Sequence, residues 1–139
     1  MRSTFTRLGE RMITGLDHIA LCISDMEKSK EFYSRLGFGL EQEYGVDEHG
    51  YRVALLEQAG VRIELLEFDE YYDGDQDLRR FDVLGIRHIA LRTSNLDNLM
   101  DYLSGQSVDF EGPRLTSQGN RQIFVYDPDN IVIEYQEKT

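Results

Sequence analysis

At 139 residues, with 40% hydrophobic and 29% charged residues, the chain is long enough for one domain with its own core and has the composition of an ordinary globular fold. Its net charge of −11 repels nucleic-acid phosphates and anionic membrane surfaces, but leaves room for a small anionic ligand in a locally basic pocket. The single cysteine, Cys22, cannot form an internal disulfide, which fits the reducing cytoplasm, and no apolar run is long enough to span a bilayer.

In chain order, residues 1–11 read as a flexible arm. Arg2, Arg7 and Arg11 are scattered among Ser3, Thr4, Thr6 and Gly9 without the apolar stretch of a secretory signal. Met12, just before the first patterned segment, is an alternative start. A first module spans 12–67. Leu16 to Ile23 is apolar and β-branched and predicts a strand. Ser24 or Asp25 caps a helix whose apolar spacing runs through Met26, Ser29, Phe32, Tyr33 and Leu36, and Gly37 ends it. Three strands follow, Phe38 to Tyr44, Tyr51 to Glu57 and Val61 to Glu67. They are separated by a polar turn holding an exposed His49 and by a tight turn at Gln58 to Gly60.

Residues 68–85 read as an exposed acidic linker. Asp73, Asp75 and Asp77 alternate as at the start of a calcium loop, but Leu78 stands where that loop needs glycine, so the segment is read as solvated chain. The second module, 86–139, repeats the first. Arg87 to Thr93 is its strand. Ser94 or Asn95 caps a helix carrying Leu96, Leu99, Met100 and Leu103, which Gly105 ends. Val108 to Glu111 is a short strand, and Arg121 to Tyr126 and Ile131 to Gln136 form a hairpin around Asp127-Pro128-Asp129-Asn130.

The repeat can be read residue by residue. Leu16-Asp17-His18-Ile19-Ala20-Leu21 returns as Ile86-Arg87-His88-Ile89-Ala90-Leu91, and Val61-Arg62-Ile63-Glu64-Leu65 as Ile131-Val132-Ile133-Glu134-Tyr135. Both offsets are 70 (88 − 18 and 134 − 64). Strand alternation puts His18 with Ala20 and Cys22 on one face, and His88 with Ala90 and Arg92. Taken alone, a histidine or glutamate in a strand is more often a hydrogen-bonded or solvated side chain than a ligand. Both pairs recurring at one offset point to a joint task, and two His with two Glu are a fitting ligand set for a divalent metal.

These segments, with Phe32-Tyr33-Ser34-Arg35-Leu36-Gly37-Phe38 and the Asp127-Pro128-Asp129-Asn130 turn before Ile133-Glu134, resemble the vicinal oxygen chelate superfamily. That superfamily includes glyoxalase I, methylmalonyl-CoA epimerase, extradiol dioxygenases and the fosfomycin and bleomycin resistance proteins. The resemblance covers nearly all of 12–139. It implies an α+β fold of two tandem βαβββ modules forming a cupped mixed sheet around a metal site. It also implies that His18, Glu64, His88 and Glu134 are the ligands of one divalent ion (Zn, Ni, Co or Mn). A set of two His and two Glu looks most like glyoxalase I. Epimerases commonly carry Gln at the position of Glu64, and bleomycin-binding proteins lack the set. Glutathione contacts common in glyoxalase I are replaced here by Cys22 and Phe68, while the equivalent second-half positions hold Arg92 and Lys138.

The resulting expectation is a cytoplasmic, homodimeric, metal-dependent lyase or isomerase of the glyoxalase I type (lactoylglutathione lyase-like). Its metal would stabilise an enediolate while Glu64 and Glu134 move a proton, and Arg92 and Lys138 would bind the anionic end of a small-molecule substrate. The alternatives are a methylmalonyl-CoA epimerase-like enzyme and a resistance or small-molecule-binding protein. Cys22 is expected to line a cavity or the core rather than to act as a nucleophile. Neither nucleic acid nor membrane is expected as a partner.

Overall fold

The computed structural model of the protein describes residues 12–46, 48, 50–74 and 77–138. The expected arm over 1–11, the turn residue His49 and linker residue Asp75 fall outside that range.

The fold is α+β, two βαβββ modules in tandem. Module one runs β1 (Ile19–Cys22), α1 (Met26–Arg35), β2 (Gly39–Val46), β3 (Tyr51–Gln58) and β4 (Val61–Phe68). Module two runs β5 (His88–Thr93), α2 (Leu96–Gly105), β6 (Glu111–Leu115), β7 (Arg121–Tyr126) and β8 (Val132–Glu137). Each module makes its own four-stranded mixed sheet, in the orders β1-β4-β3-β2 and β5-β8-β7-β6. The first strand of each module lies parallel to its last, with Ala20 beside Glu64 and Ala90 beside Glu134. That placement leaves β1 and β5 as sheet edges.

The same local chemistry builds both modules. Asp25 and Asn95 cap their helices by accepting from the N–H of Lys28 and Asn98. A glutamate from the last strand then ties the helix start to the sheet. Glu67 accepts the Met26 N–H at 2.6 Å and Glu137 the Leu96 N–H at 2.8 Å. Arg52 and Arg121 pair with those two carboxylates in turn. Both helices stop in a Schellman turn. Phe38 donates its N–H to the Tyr33 carbonyl, and Val108 to that of Leu103.

These stops account for two differences from expectation. The second helix runs through Gly105, and the left-handed residue that ends it is Ser107 (φ 60), the repeat equivalent of Gly37 (φ 100). Val108 is spent on the helix stop and packs into the core, so the strand expected at Val108 to Glu111 forms instead at Glu111–Leu115.

One apolar core runs between the modules. Leu21, Ile23, Met26, Tyr33, Leu36, Ile63 and Leu65 from the first meet Ile89, Leu96, Leu103, Ile133 and Tyr135 from the second. The helix-bearing faces of the two sheets are therefore buried together, and the opposite faces, with the histidines, look outward. A polar clamp closes one end of this seam. The Tyr33 hydroxyl donates to Asp127 at 2.9 Å with both side chains buried, and Asp129 accepts from the N–H and Oγ of Ser24. The other Asp127 oxygen takes the N–H of Asp129 and Ile131, which shapes the β7–β8 turn.

Candidate metal centre

His18 stands immediately before β1, and Glu64 is carried by the adjacent β4. Parallel pairing brings the His18 Nε2 to 3.7 Å from the Glu64 Oε2. In module two the His88 Nε2 and the Glu134 Oε2 are also 3.7 Å apart. This is too long for a hydrogen bond. It is close to the separation of two donors on one ion, each about 2.0–2.2 Å from it. The His18 Nδ1 lies 2.6 Å from Asp17 Oδ2. A carboxylate there favours the tautomer with the proton on Nδ1, which would leave the Nε2 lone pair toward Glu64, the outer-sphere support that metal-binding imidazoles use. Asp17 is held below the usual carboxylate range, chiefly by this hydrogen bond. Glu134 is only 8% exposed although it has no hydrogen-bonded basic partner among the described residues, a costly place for a carboxylate unless a cation joins it. The residues present fit a divalent ion.

The structure brings the four expected ligands together as two pairs, one on each sheet. Among the described residues, no three His, Cys, Asp or Glu side chains converge on a single point. A single chain therefore presents two separate His–Glu pairs.

Arg92 and Lys138 do meet. With Ala90, Leu91 and Gln136 they line a cavity of about 140 Å³ on module two, and the Lys138 N–H is anchored on the Thr93 carbonyl. Cys22 is exposed and lines a separate cavity of about 400 Å³ with Tyr71, Tyr72 and Asp129. Burial, and then the Asp129 charge, push its thiol up. That agrees with a cavity-lining role and is unfavourable for a thiolate nucleophile.

Sequence reasoning missed an aromatic and guanidinium cluster on the face of His88 and Glu134. Phe124 pairs with Glu134 across β7 and β8, so strand alternation puts Phe124 and Tyr126 on the metal face. The Arg114 guanidinium lies 4.4 Å from the centre of the Phe124 ring, and Arg79 lies 4.0 Å from that of Tyr126. Arg79 also pairs with Glu111, which accepts from the Tyr126 hydroxyl. Phe81 stacks against both His88 (5.2 Å between centroids) and Phe124 (5.8 Å). The segment expected to be a plain solvated linker thus packs its later part onto module two. Arg79 and Phe81 interrupt its acidic composition, and that interruption was the available signal.

Residues 15–135 match the profile of the Glyoxalase/Bleomycin resistance protein/Dioxygenase superfamily. The chain belongs to that superfamily. It is 33% identical over 130 residues to the uncharacterized protein YwkD of Bacillus subtilis, covering 91% of this chain and 99% of YwkD. It is 27% identical over 135 residues to the fosfomycin resistance protein FosX of Listeria monocytogenes, covering 92% of each. Among solved structures, a glyoxalase family protein from Enterococcus faecalis superposes with a TM-score of 0.78 at 24% identity, covering 91% of this chain and 99% of that one. A point mutant of Listeria FosX, solved with Mn(II) and 1S,2S-dihydroxypropylphosphonic acid, superposes with a TM-score of 0.69 at 23% identity, covering 92% and 95%. At these identities the superpositions speak for the fold. No helix among the described residues is long and apolar enough to cross a membrane.

Proposed function

We propose that the protein is a cytoplasmic, metal-dependent lyase or isomerase of the glyoxalase I type, working as a homodimer whose sites are each shared between two copies. The observation that carries this reading is the pair of equivalent His–Glu half-sites, each with its nitrogen and oxygen 3.7 Å apart. Sharing between copies is supported by the sheet edges. β1 and β5 are both unpaired on one side. Beside them stand Leu16 and Ile86, repeat equivalents that are 78% and 87% exposed. Laying β5 of a second copy against β1 would cover that apolar surface and join His18 and Glu64 of one copy with His88 and Glu134 of the other.

A divalent ion held by those four side chains would supply Lewis acidity toward a substrate carbonyl; zinc, nickel, cobalt and manganese all suit the donors. In this reading Glu64 and Glu134 would take a proton from the carbon beside that carbonyl and return it to the neighbouring one. Phe81, lying on the His88 ring, limits water on that side. Arg92, Lys138 and Arg114 hold the anionic end of the substrate. Arg92 and Arg114 have no acidic partner among the described residues, whereas Arg52, Arg62, Arg79, Arg80 and Arg121 are all ion-paired. In so acidic a chain, an unpaired guanidinium on the metal face is a group kept for a ligand.

A second reading, a fosfomycin-resistance enzyme, is favoured by the relation to FosX and by Arg114, which suits a phosphonate as well as a carboxylate. One experiment separates these readings. The protein, loaded in turn with each of the four metals, is incubated in D₂O with a methylglyoxal–thiol hemithioacetal, with a 2-methyl-branched acyl-CoA and with fosfomycin. Deuterium entering the hemithioacetal product supports the lyase or isomerase. Exchange only in the acyl-CoA supports an epimerase, and diol formation only from fosfomycin supports the resistance enzyme. Saturable binding without turnover of any of them would leave a ligand-binding protein and overturn the enzymatic reading.

A further inference from the structure

The two imidazoles of the candidate metal centre are held in different ways. The Asp17 carboxylate is hydrogen-bonded to the Nδ1 of His18 at 2.6 Å, which restrains that ring. The repeat offset of 70 puts Arg87 in the place of Asp17. A guanidinium only donates, so it cannot take an imidazole proton. Arg87 is instead turned back along the chain, with its Nε on the Ile86 carbonyl and its Nη1 3.5 Å from the Arg80 carbonyl oxygen. Among the described residues the His88 ring makes no hydrogen bond, and its Nε2 stands 3.7 Å from Glu134. Phe81 packs against that ring, with 5.2 Å between centroids and 43° between planes.

Phe81 sits between two fastened neighbours. Arg79 pairs with Glu111 at 2.8 Å and lies over the Tyr126 ring, and Arg80 makes two bonds to Asp82, at 2.9 and 2.7 Å. The same phenyl ring reaches Phe124, 5.8 Å away, which stands opposite Glu134 across β7 and β8. Both separations fall where tilted aromatic pairs attract. Phe81 still keeps 49% of its surface in water, so covering its own apolar ring accounts for only part of this placement. A ligand whose orientation is set before the ion arrives loses less freedom on binding, and outer-sphere partners of metal-binding imidazoles supply that restraint. We propose that Phe81 is a positioning residue for His88, holding the plane of that imidazole in the module that has no counterpart of Asp17. The linker between the modules thereby takes part in the metal centre. This role rests on the proposed reading of His88 as a metal ligand.

The test compares Phe81→Leu, which keeps an apolar side chain without the ring, with Phe81→Tyr, which keeps the ring. Zinc alone is the probe, titrated into the full-length metal-free protein in competition with a chromophoric chelator. Tm and the imidazole proton resonances of the metal-free protein are recorded beside it. Phe81→Leu should bind zinc about tenfold more weakly than wild type, the low end of what losing an outer-sphere partner costs a metal site. Its Tm should stay at the wild-type value. The His88 ring protons should move as the ring current of Phe81 is lost, while those of His18 stay. Phe81→Tyr should match wild type in affinity and in resonances. Zinc binding by Phe81→Leu as tight as that of wild type would overturn the role of Phe81 and leave the metal reading standing. So would a loss of affinity that Phe81→Tyr shares, one that comes with a lowered Tm, or one without movement of the His88 resonances. A wild type that binds no zinc would instead remove the metal reading, and this role with it.

Discussion

Mixed subunits give the most direct test of how the metal site is assembled. His18→Ala and His88→Ala each remove one imidazole from a His–Glu pair whose donors stand 3.7 Å apart, so either homodimer has every site reduced to three ligands. When the two variants are paired, one site loses both imidazoles. The other receives His18 from the His88→Ala copy and His88 from the His18→Ala copy, and is whole. A heterodimer isolated with two different affinity tags should therefore bind about one ion where wild type binds two, and an unsorted equimolar mixture should recover about a quarter of the wild-type sites. Metal content by elemental analysis after dialysis against a weak chelator is the readout. A heterodimer as empty as its parents, beside a fully loaded wild type, would refute sharing between copies. Full occupancy in a His18→Ala/His88→Ala double variant would refute the ligand assignment itself.

Further outcomes follow from the same geometry. Tyr33→Phe leaves one oxygen of the buried Asp127 carboxylate without its donor, which should cost about 1.5–3 kcal/mol and lower Tm by roughly 5–10 °C, with metal content unchanged. A Tm within a degree of wild type would show that the clamp contributes little. Arg114→Ala and Arg92→Ala should each raise KM for an anionic substrate at least tenfold and leave metal content alone. Lower Tm with an unchanged KM would assign either arginine to the scaffold. Glu137 is held below the usual glutamate range, first by Arg121 and then by the Leu96 N–H. Its charged form is the stabilising one, so that contribution is complete above the ordinary value and is lost as pH falls through the lowered one. Glu137→Gln should therefore flatten the acid limb of a Tm–pH curve, and an equally steep limb would deny the ion pair any part in acid unfolding.

The elements that were legible in sequence are those fixed by local chemistry and repeated twice. The β1 and β5 alternation and the hairpin at Asp127-Pro128-Asp129-Asn130 stand where spacing puts them, and of the two capping candidates in each module the second, Asp25 and Asn95, is the cap. In sequence Gly105 reads as the stop of α2, whereas the Schellman turn demands a left-handed residue two positions later and Ser107 accepts it. The repeat offset, which points from Gly37 to Ser107, would have corrected that. The four candidate ligands are legible as a recurrence, whereas sequence leaves open whether the modules pair within one chain or exchange between two, and so whether the His–Glu pairs stand together or apart. The choice depends on which faces of the modules bury one another, and both faces carry apolar side chains. The Arg79–Phe81 segment left only a weak trace, because its contacts with Tyr126, Phe124 and His88 are tertiary and no local pattern encodes them.

What the two modules keep in common and what they do not divides along functional lines. The His–Glu pairs are kept, as are the glutamates that tie each helix start to its sheet and the arginines that hold those glutamates. These features set the geometry of the His–Glu pairs, which on the proposed function would have to be the same on both sides of one ion. The cations are not kept. Arg92, Arg114 and Lys138 correspond to Cys22, Tyr44 and Phe68 in the first repeat. On the metal face of module one, the Tyr51 and Phe68 rings pack at 5.1 Å, with Tyr44 and Val53 paired beside them. The module-one wall is therefore mainly aromatic, with its Arg62 ion-paired to Glu41, whereas the module-two wall carries Arg92 and Arg114, which have no acidic partner among the described residues. If Glu64 and Glu134 both act on one substrate, two equivalent carboxylates cannot by themselves tell its ends apart, and direction would come from the walls. On the proposed function, an anionic group at one end, drawn to module two, would turn the reacting carbons so that Glu64 and Glu134 face different positions, as a proton transfer between neighbouring carbons requires.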